Sequence, residues 1–243
     1  MSAPRLLLGM LTPSSNTTLE PVTTAMIAGA PEASAHFGRF KVTEIALTQQ
    51  ALGQFDDREI LGAAELLSHA KVGVIGWSGT AASWRGFDTD ALLCRRITEA
   101  TGIPACTSVL ALNEILARTG VRRLGLVTPY LDDVQSKIIA NYAGIGIEVA
   151  AERHLGLRDN FSFSEVDADT LRTMVREVAK ARPDAITILC TNLRGGPLVA
   201  ELEAETGIPI HDSIATVVWK SLRLVGADTR RITGWGRLFE ALG

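Results

Sequence analysis

The chain has 243 residues, 47% of them apolar and 21% charged, with a formal net charge of −3. That balance describes a compact globule with a real core, in one large domain or two small ones. It argues against a nucleic-acid partner, which would need clustered Lys and Arg, and no apolar run nears the roughly 18 residues of a membrane span. Three cysteines at irregular spacing form neither a disulfide framework nor a zinc site. Reduced thiols and a cytoplasmic location are the default expectation.

The apolar stretch in "MSAPRLLLGML" is too short for a signal sequence and predicts a first strand over 5–11. The loop after it, "LTPSSNTTLEP" (11–21), places Ser14, Ser15, Asn16 and Thr17 at a helix start. Hydroxyls, an amide and backbone N–H groups there suit a carboxylate. The same residue types serve equally as helix caps. An amphipathic pattern, "EILGAAELLSHA" (59–70), leads to a second buried strand, "VGVIGW" (72–77). "GTAAS" (79–83) then offers Thr80 and Ser83 on a glycine-led turn. Trp77 and Trp84 either line an apolar pocket or pack in a core. Cys94 falls in a helical pattern and Cys106 at a strand end after "TGIP"; both are expected to pack.

"RLGLVT" (123–128) predicts a third strand, followed by Tyr130, whose phenol can donate to an anionic oxygen or sit at a domain rim. Asn160, in the polar loop "GLRDNFSFS", reads as a substrate contact or a cap. The helical pattern "DTLRTMVREVAKA" (169–181) precedes the fourth strand, "AITILC" (185–190). Cys190 stands at its lip, followed by Thr191, Asn192 and a glycine pair before a further helix. A structural strand end does not need that concentration of donors. Backbone N–H groups at the helix start are expected to lower the thiol's pKa from about 8.5. None of the four histidines has metal-ligand spacing, so no metal is expected. His211-Asp212-Ser213 reads as a strand end and helix cap, because three adjacent residues cannot face one another as a triad. No Walker or dinucleotide fingerprint is present, which argues against a phosphate-bearing cofactor.

The chain also repeats itself. "LLLGMLTPSSNTTLE" matches "RRLGLVTPYLDDVQ", and "EATGIPACTSVLALNEILARTG" matches "AETGIPIHDSIATVVWKSLRLVG". Such a long period means duplicated α/β halves, which would turn their strand C-termini toward a shared cleft. "HAKVGVIGWSGTAASWRG" pairs with "ARPDAITILCTNLRGG", so the counterpart of Cys190 is Ser78 or Gly79, with Gly79 heading the better match. A side chain added at Gly79 is expected to point into the cleft, restricted only by a glycine-type turn.

The motifs "TPSSNTTLEP", "GTAASWRG", "TGIP", "VTPY", "DNFSF", "CTNLRG" and "IPIHDS", in that order, span nearly the whole chain. Together they resemble the aspartate/glutamate racemase superfamily, in the branch of maleate isomerases, arylmalonate decarboxylases and EutA-like ectoine-utilisation proteins. The resemblance implies two pseudo-symmetric flavodoxin-like parallel α/β halves with the active site in the cleft between them. The first half would be residues 1–110 plus 213–243, and the second 111–212. It implies no cofactor, and a small carboxylate as substrate. Cys190 takes the place of the second-half catalytic cysteine, Tyr130 that of a carboxylate-binding tyrosine, and Asn16 and Asn160 those of substrate-holding asparagines. Ser15, Gly79, Thr80 and Thr191 complete the expected substrate-binding set.

Gly79 occupies the place of the first-half cysteine, the nucleophile of maleate isomerases; arylmalonate decarboxylases also have glycine there. The decarboxylases lack the Ser-Ser-Asn-Thr loop, however, and Ala81 replaces a serine that helps bind their carboxylate. The "GTAASW" and "CTNLRG" forms read closest to the EutA-like group. The leading expectation is a malonate-type decarboxylase with Cys190 as single proton donor. Its alternatives are an isomerase or racemase that recruits another group, and a non-catalytic small-carboxylate binder. Oligomeric state is left open, a homo-oligomer included.

Overall fold

The computed structural model describes residues 5–54 and 57–242. β1 (Leu6–Pro13), β2 (Ala33–Phe40), β3 (Val74–Trp77) and β4 (Ala105–Thr107) form one parallel sheet, in the order β2-β1-β3-β4. β5 (Arg123–Thr128), β6 (Glu148–His154), β7 (Ala185–Ile188) and β8 (Ile210–Asp212) form a second, in the order β6-β5-β7-β8. The repeated sequence thus builds a repeated fold, the two parallel α/β halves expected.

Local chemistry accounts for the elements. β3 and β7 sit inside their sheets and are buried at every residue, as their largely apolar sequences require, with Thr187 of β7 donating to the His211 carbonyl (3.0 Å). The "TGIP" motif works as a helix stop. Gly102 and Gly207 take left-handed φ values of 71° and 73°, ending the helices Phe87–Thr101 and Val199–Thr206 just ahead of β4 and β8. Asp212 ends β8 and caps the next helix, its Oδ1 accepting from the Ile214 and Ala215 N–H groups.

The strand read over 185–190 stops early. Leu189 still donates to the Val127 carbonyl (2.9 Å), but the ladder closes at Ile188 and the chain turns, leaving Cys190 in the turn. The helix Ser213–Leu224 returns to the first sheet, where Ile214, Val217 and Leu222 join the core around Leu8, Met10 and Val74. The helix Ser108–Thr119 serves both halves: Ala111 and Ile115 enter that core, while Leu112 and Leu116 enter a second one that runs from Leu11 and Ile75 of the first sheet to Leu124 and Ile186 of the second. Among the described residues no helix is long and apolar enough to cross a membrane.

Candidate active site

Gly79 lies two residues past β3 and Cys190 two residues past β7, so equivalent turns follow equivalent strands. Both border one small cavity of about 20 Å³, walled also by Thr80, Tyr130, Asn160 and Thr191 and by Pro13, Val42, Ile45, Trp77, Ala81 and Trp84. Such a space holds about one water molecule. Among the described residues no charged side chain stands in that wall. The backbone N–H groups of Gly79, Thr80, Cys190 and Thr191 have no acceptor among the described residues. Two turns with unused donors therefore flank the same small space, the arrangement expected of an anion site built without cations.

The thiol differs from expectation. Burial pushes Cys190 up to about 11, and the Asp212 carboxylate adds to the rise. Donation from the Asn192 N–H (3.4 Å), from the Tyr130 hydroxyl and from the Leu193 N–H offsets only part of it. The following helix does not reach the sulfur, since regular helix begins only at Val199. Cys190 is therefore a protonated thiol at neutral pH, where a lowered pKa had been expected.

Tyr130 is held by packing and one short contact. Its ring lies against Trp84 (centroids 5.0 Å apart) and Phe163 (5.8 Å), and its hydroxyl is 2.6 Å from Thr80 Oγ1. Burial, followed by the neighbouring Cys190, raises its pKa well above that of a free phenol, so it stays a donor.

The space opposite Cys190 is not open. A Cβ built on Gly79 would lie 2.0 Å from Cζ2 and 2.4 Å from Cε2 of Trp77. The expectation that a side chain at Gly79 would point freely into the cleft is thereby corrected. The restriction is the Trp77 indole, not the backbone, since Gly79 has no positive φ. The ring is fixed by Phe40, 5.0 Å away centroid to centroid.

Ser15 and Asn16 do not stand in the cavity wall; they sit behind it. Asn16 Oδ1 caps the helix Leu19–Ile27, accepting from the Thr18 (2.9 Å) and Leu19 (2.8 Å) N–H groups. Its amide donates to Thr191 Oγ1 (3.2 Å), which itself donates to the Ser78 carbonyl (3.1 Å). Ser15 accepts from Asn160 Nδ2 (2.8 Å) and donates to the Val42 carbonyl (2.7 Å). Sequence reasoning gave Asn192 no role, yet it ties these pieces together. It is buried, accepts from the Thr17 (3.1 Å) and Thr18 (3.3 Å) N–H groups and donates to the Asn160 carbonyl (2.5 Å). Its place beside Cys190 in "CTNLRG" was the available signal.

Also unforeseen is the roof formed by Val42 and Ile45. The segment carrying them is bonded to the other half, Ile45 N–H to the Arg158 carbonyl (2.9 Å) and Asn160 N–H to the Thr43 carbonyl (3.0 Å). Arg158 adds an ion pair with Glu44 at 3.0 Å. The apolar residues Val42, Ile45, Ala46 and Leu47 in the loop after β2 were the only hint. The remaining thiols are elsewhere: Cys106 is buried beside Ser221 (3.4 Å) and Cys94 lies on a helix. Ser78 is fully buried outside the cavity wall, its hydroxyl without a partner among the described residues.

Twin flavodoxin-like sheets closing on one buried thiol are the arrangement that the resemblance to the aspartate/glutamate racemase superfamily implied. The arylmalonate decarboxylase family model matches residues 9–239. The chain is 32% identical over 180 residues to an arylmalonate decarboxylase of Bordetella bronchiseptica, covering 73% of this chain and 75% of that protein. It is 28% identical over 233 residues to a maleate isomerase of Pseudomonas putida, covering 91% and 92%. A crystal structure of a maleate isomerase from another strain of that species superposes with a TM-score of 0.88 at 25% identity, covering 96% of this chain and 98% of that one. The chain belongs to the arylmalonate decarboxylase family.

Proposed function

We propose that the protein is a cofactor-independent carboxy-lyase that removes CO₂ from a small malonate-like acid, with Cys190 as its single proton donor. The observation that carries this reading is one protonated thiol facing a cavity whose opposite side is filled by the Trp77 ring. One-sided protonation is what a decarboxylation needs.

The retained carboxylate is bound by the N–H groups of Gly79, Thr80, Cys190 and Thr191 and by the Tyr130 hydroxyl. Asn160, Ser15 and Asn16 hold those donors in place. The departing carboxylate lies against Val42, Ile45 and Trp77, where it loses its water and its charge becomes costly. As its C–C bond breaks, the electron pair passes to the α-carbon and into the retained carboxylate, giving an enediolate whose oxygens the same donors stabilise. The Cys190 S–H then gives its proton to the α-carbon. Water reprotonates the thiolate once the roof opens, so the net reaction consumes one proton and releases CO₂. A cavity of about 20 Å³ cannot hold such an acid, so the contacts of Thr43 and Ile45 with Asn160 and Arg158 must part for entry. We assign the halves as 1–110 with 213–243, and 111–212, each contributing one donor turn.

An isomerase is the second reading, favoured by matches to maleate isomerases that extend over 91% of this chain or more. Incubation with malonates and with maleate in D₂O separates the two. CO₂ release with one deuterium at the α-carbon supports the lyase. Conversion of maleate to fumarate without CO₂ would replace it with the isomerase. Binding without turnover of either would leave a carboxylate-binding protein.

A further inference from the structure

A second cavity lies at the other end of the second sheet. It measures about 360 Å³ and is bordered by Ala185, the first residue of β7, and by Pro209, just ahead of β8. Cys190 follows the opposite end of β7, so the two cavities are separated by the length of the strands. A volume of this size suits a small organic ligand. Val121, Pro209, Leu238 and Leu242 make much of its wall apolar.

His211 stands in that wall and is only 5% exposed. Neither nitrogen of its imidazole has a hydrogen-bond partner among the described residues. Nδ1 is the buried nitrogen, and Nε2, which is not fully buried, is the one a group from outside the chain can reach as a donor to the ring. Burial holds His211 down to about 4, so at neutral pH one ring nitrogen is an acceptor.

The charges of the wall select the kind of partner. Glu203 and Asp184 contribute carboxylates, and the helix Ser108–Thr119 ends there at Thr119 and Gly120, presenting the negative end of its dipole. Arg237 is the only cation in the described wall, and it is already committed: its guanidinium donates to the carbonyls of Gly207 (3.3 Å) and Glu203 (3.2 Å) and lies 4.0 Å from the Glu203 carboxylate. Glu203 also accepts from the Ile210 and Arg237 N–H groups, and Asp184 accepts through Oδ2 from the Arg122 and Arg123 N–H groups, which leaves the Asp184 charge without a side-chain cation from the wall. An anion would meet a surplus of negative charge. An ammonium group with an apolar body would give His211 a donor, lie near the two carboxylates and cover the apolar wall.

We propose that this cavity is a binding site for a small ammonium compound with an apolar body, its N–H donated to His211. The site shares no residue with the Cys190 cavity and does not depend on the decarboxylase reading.

Calorimetric titration of the full chain with phenethylammonium chloride tests it, with phenethyl alcohol as the uncharged counterpart. The ammonium should bind one to one, and the alcohol at least tenfold more weakly. His211→Phe, which keeps a ring and removes the acceptor, should weaken ammonium binding tenfold or more. Ala241→Trp, on an exposed turn of the short C-terminal helix, should do the same by filling the cavity, and it serves if the histidine variant fails to fold. Cys190→Ser should bind unchanged. Absence of binding at millimolar ligand, equal binding of the alcohol, or binding that survives Ala241→Trp would overturn the proposal.

Discussion

The turns after β3 and β7 have the same place in the same topology and carry different chemistry. The second ends in Ile188, a buried leucine and then Cys190; the first ends in Trp77, a buried serine and then Gly79. The thiol of one turn and the missing side chain of the other are not independent choices. Trp77 spreads its ring over the place where a Cβ at position 79 would stand, so glycine there is the condition for the indole to fit. The duplication has kept the donors of both turns and made the two sides of the cavity unlike. One side carries a protonated thiol, and the other is an apolar wall.

The largest effect should come from the side that holds the thiol. Cys190→Ser replaces the acid with a far weaker one and should lower turnover by about 10²–10⁴-fold, measured as CO₂ release from the accepted malonate. Folding and ligand binding should persist, because the hydroxyl is smaller and the turn keeps its N–H groups. Wild-type turnover by this variant would break the contrast between the turns. Tyr130→Phe leaves the ring packing intact and removes one donor to the enediolate, so kcat should fall by roughly 10²-fold. A change confined to KM would mean that the hydroxyl binds the ground state and the transition state equally.

The other side is tested by returning its thiol. Gly79→Cys alone forces the Trp77 ring aside and should cost about 1–3 kcal/mol of stability in urea unfolding. In a Trp77→Ile background, which copies Ile188 of the other half, the same substitution should cost less, and the difference is the coupling between the two residues. α-Proton exchange in D₂O should then appear in the double variant and stay absent from Gly79→Cys alone. Equal costs in both backgrounds would show that the indole is not what excludes a side chain.

The parts of this picture differ in how far the sequence revealed them. The sheets, their repetition and the equivalence of Gly79 with Cys190 were legible because period and order survive in the apolar runs and in "TGIP". Of the two readings of Asn16, substrate contact and helix cap, the structure shows the cap, and the same side chain braces Thr191, which no motif announced. The protonation of Cys190 was misjudged, because burial depends on how two distant turns close over each other and no local motif records it. The obstruction by Trp77 was hidden for a similar reason: the sequence gives the ring's size, not the direction in which β3 sends it. Val42 and Ile45 were missed because loop residues carry no periodicity.

The smallest effects should come from the two threonines that follow Gly79 and Cys190, and they separate the roles of the turns most finely. Thr191 Oγ1 donates to the Ser78 carbonyl and accepts from the Asn16 amide, both in the interior, so it joins the halves. Thr80 Oγ1 instead meets the Tyr130 hydroxyl at 2.6 Å and so orients a group that faces the cavity. Valine has nearly the shape of threonine without the hydroxyl. Thr191→Val should therefore leave two buried groups unpaired and lower stability by about 1–3 kcal/mol, with kcat nearly unchanged. Thr80→Val leaves Tyr130 its contact with the Cys190 thiol and should lower stability by no more than about 1 kcal/mol. Its effect should appear in kcat, as a several-fold loss when the phenol is less firmly aimed. Urea unfolding and steady-state kinetics on the two variants give the comparison directly. If both lost stability alike and neither lost kcat, Thr80 would be a packing residue, and the functional difference between the turns would shrink to Cys190 and the Trp77–Gly79 pair.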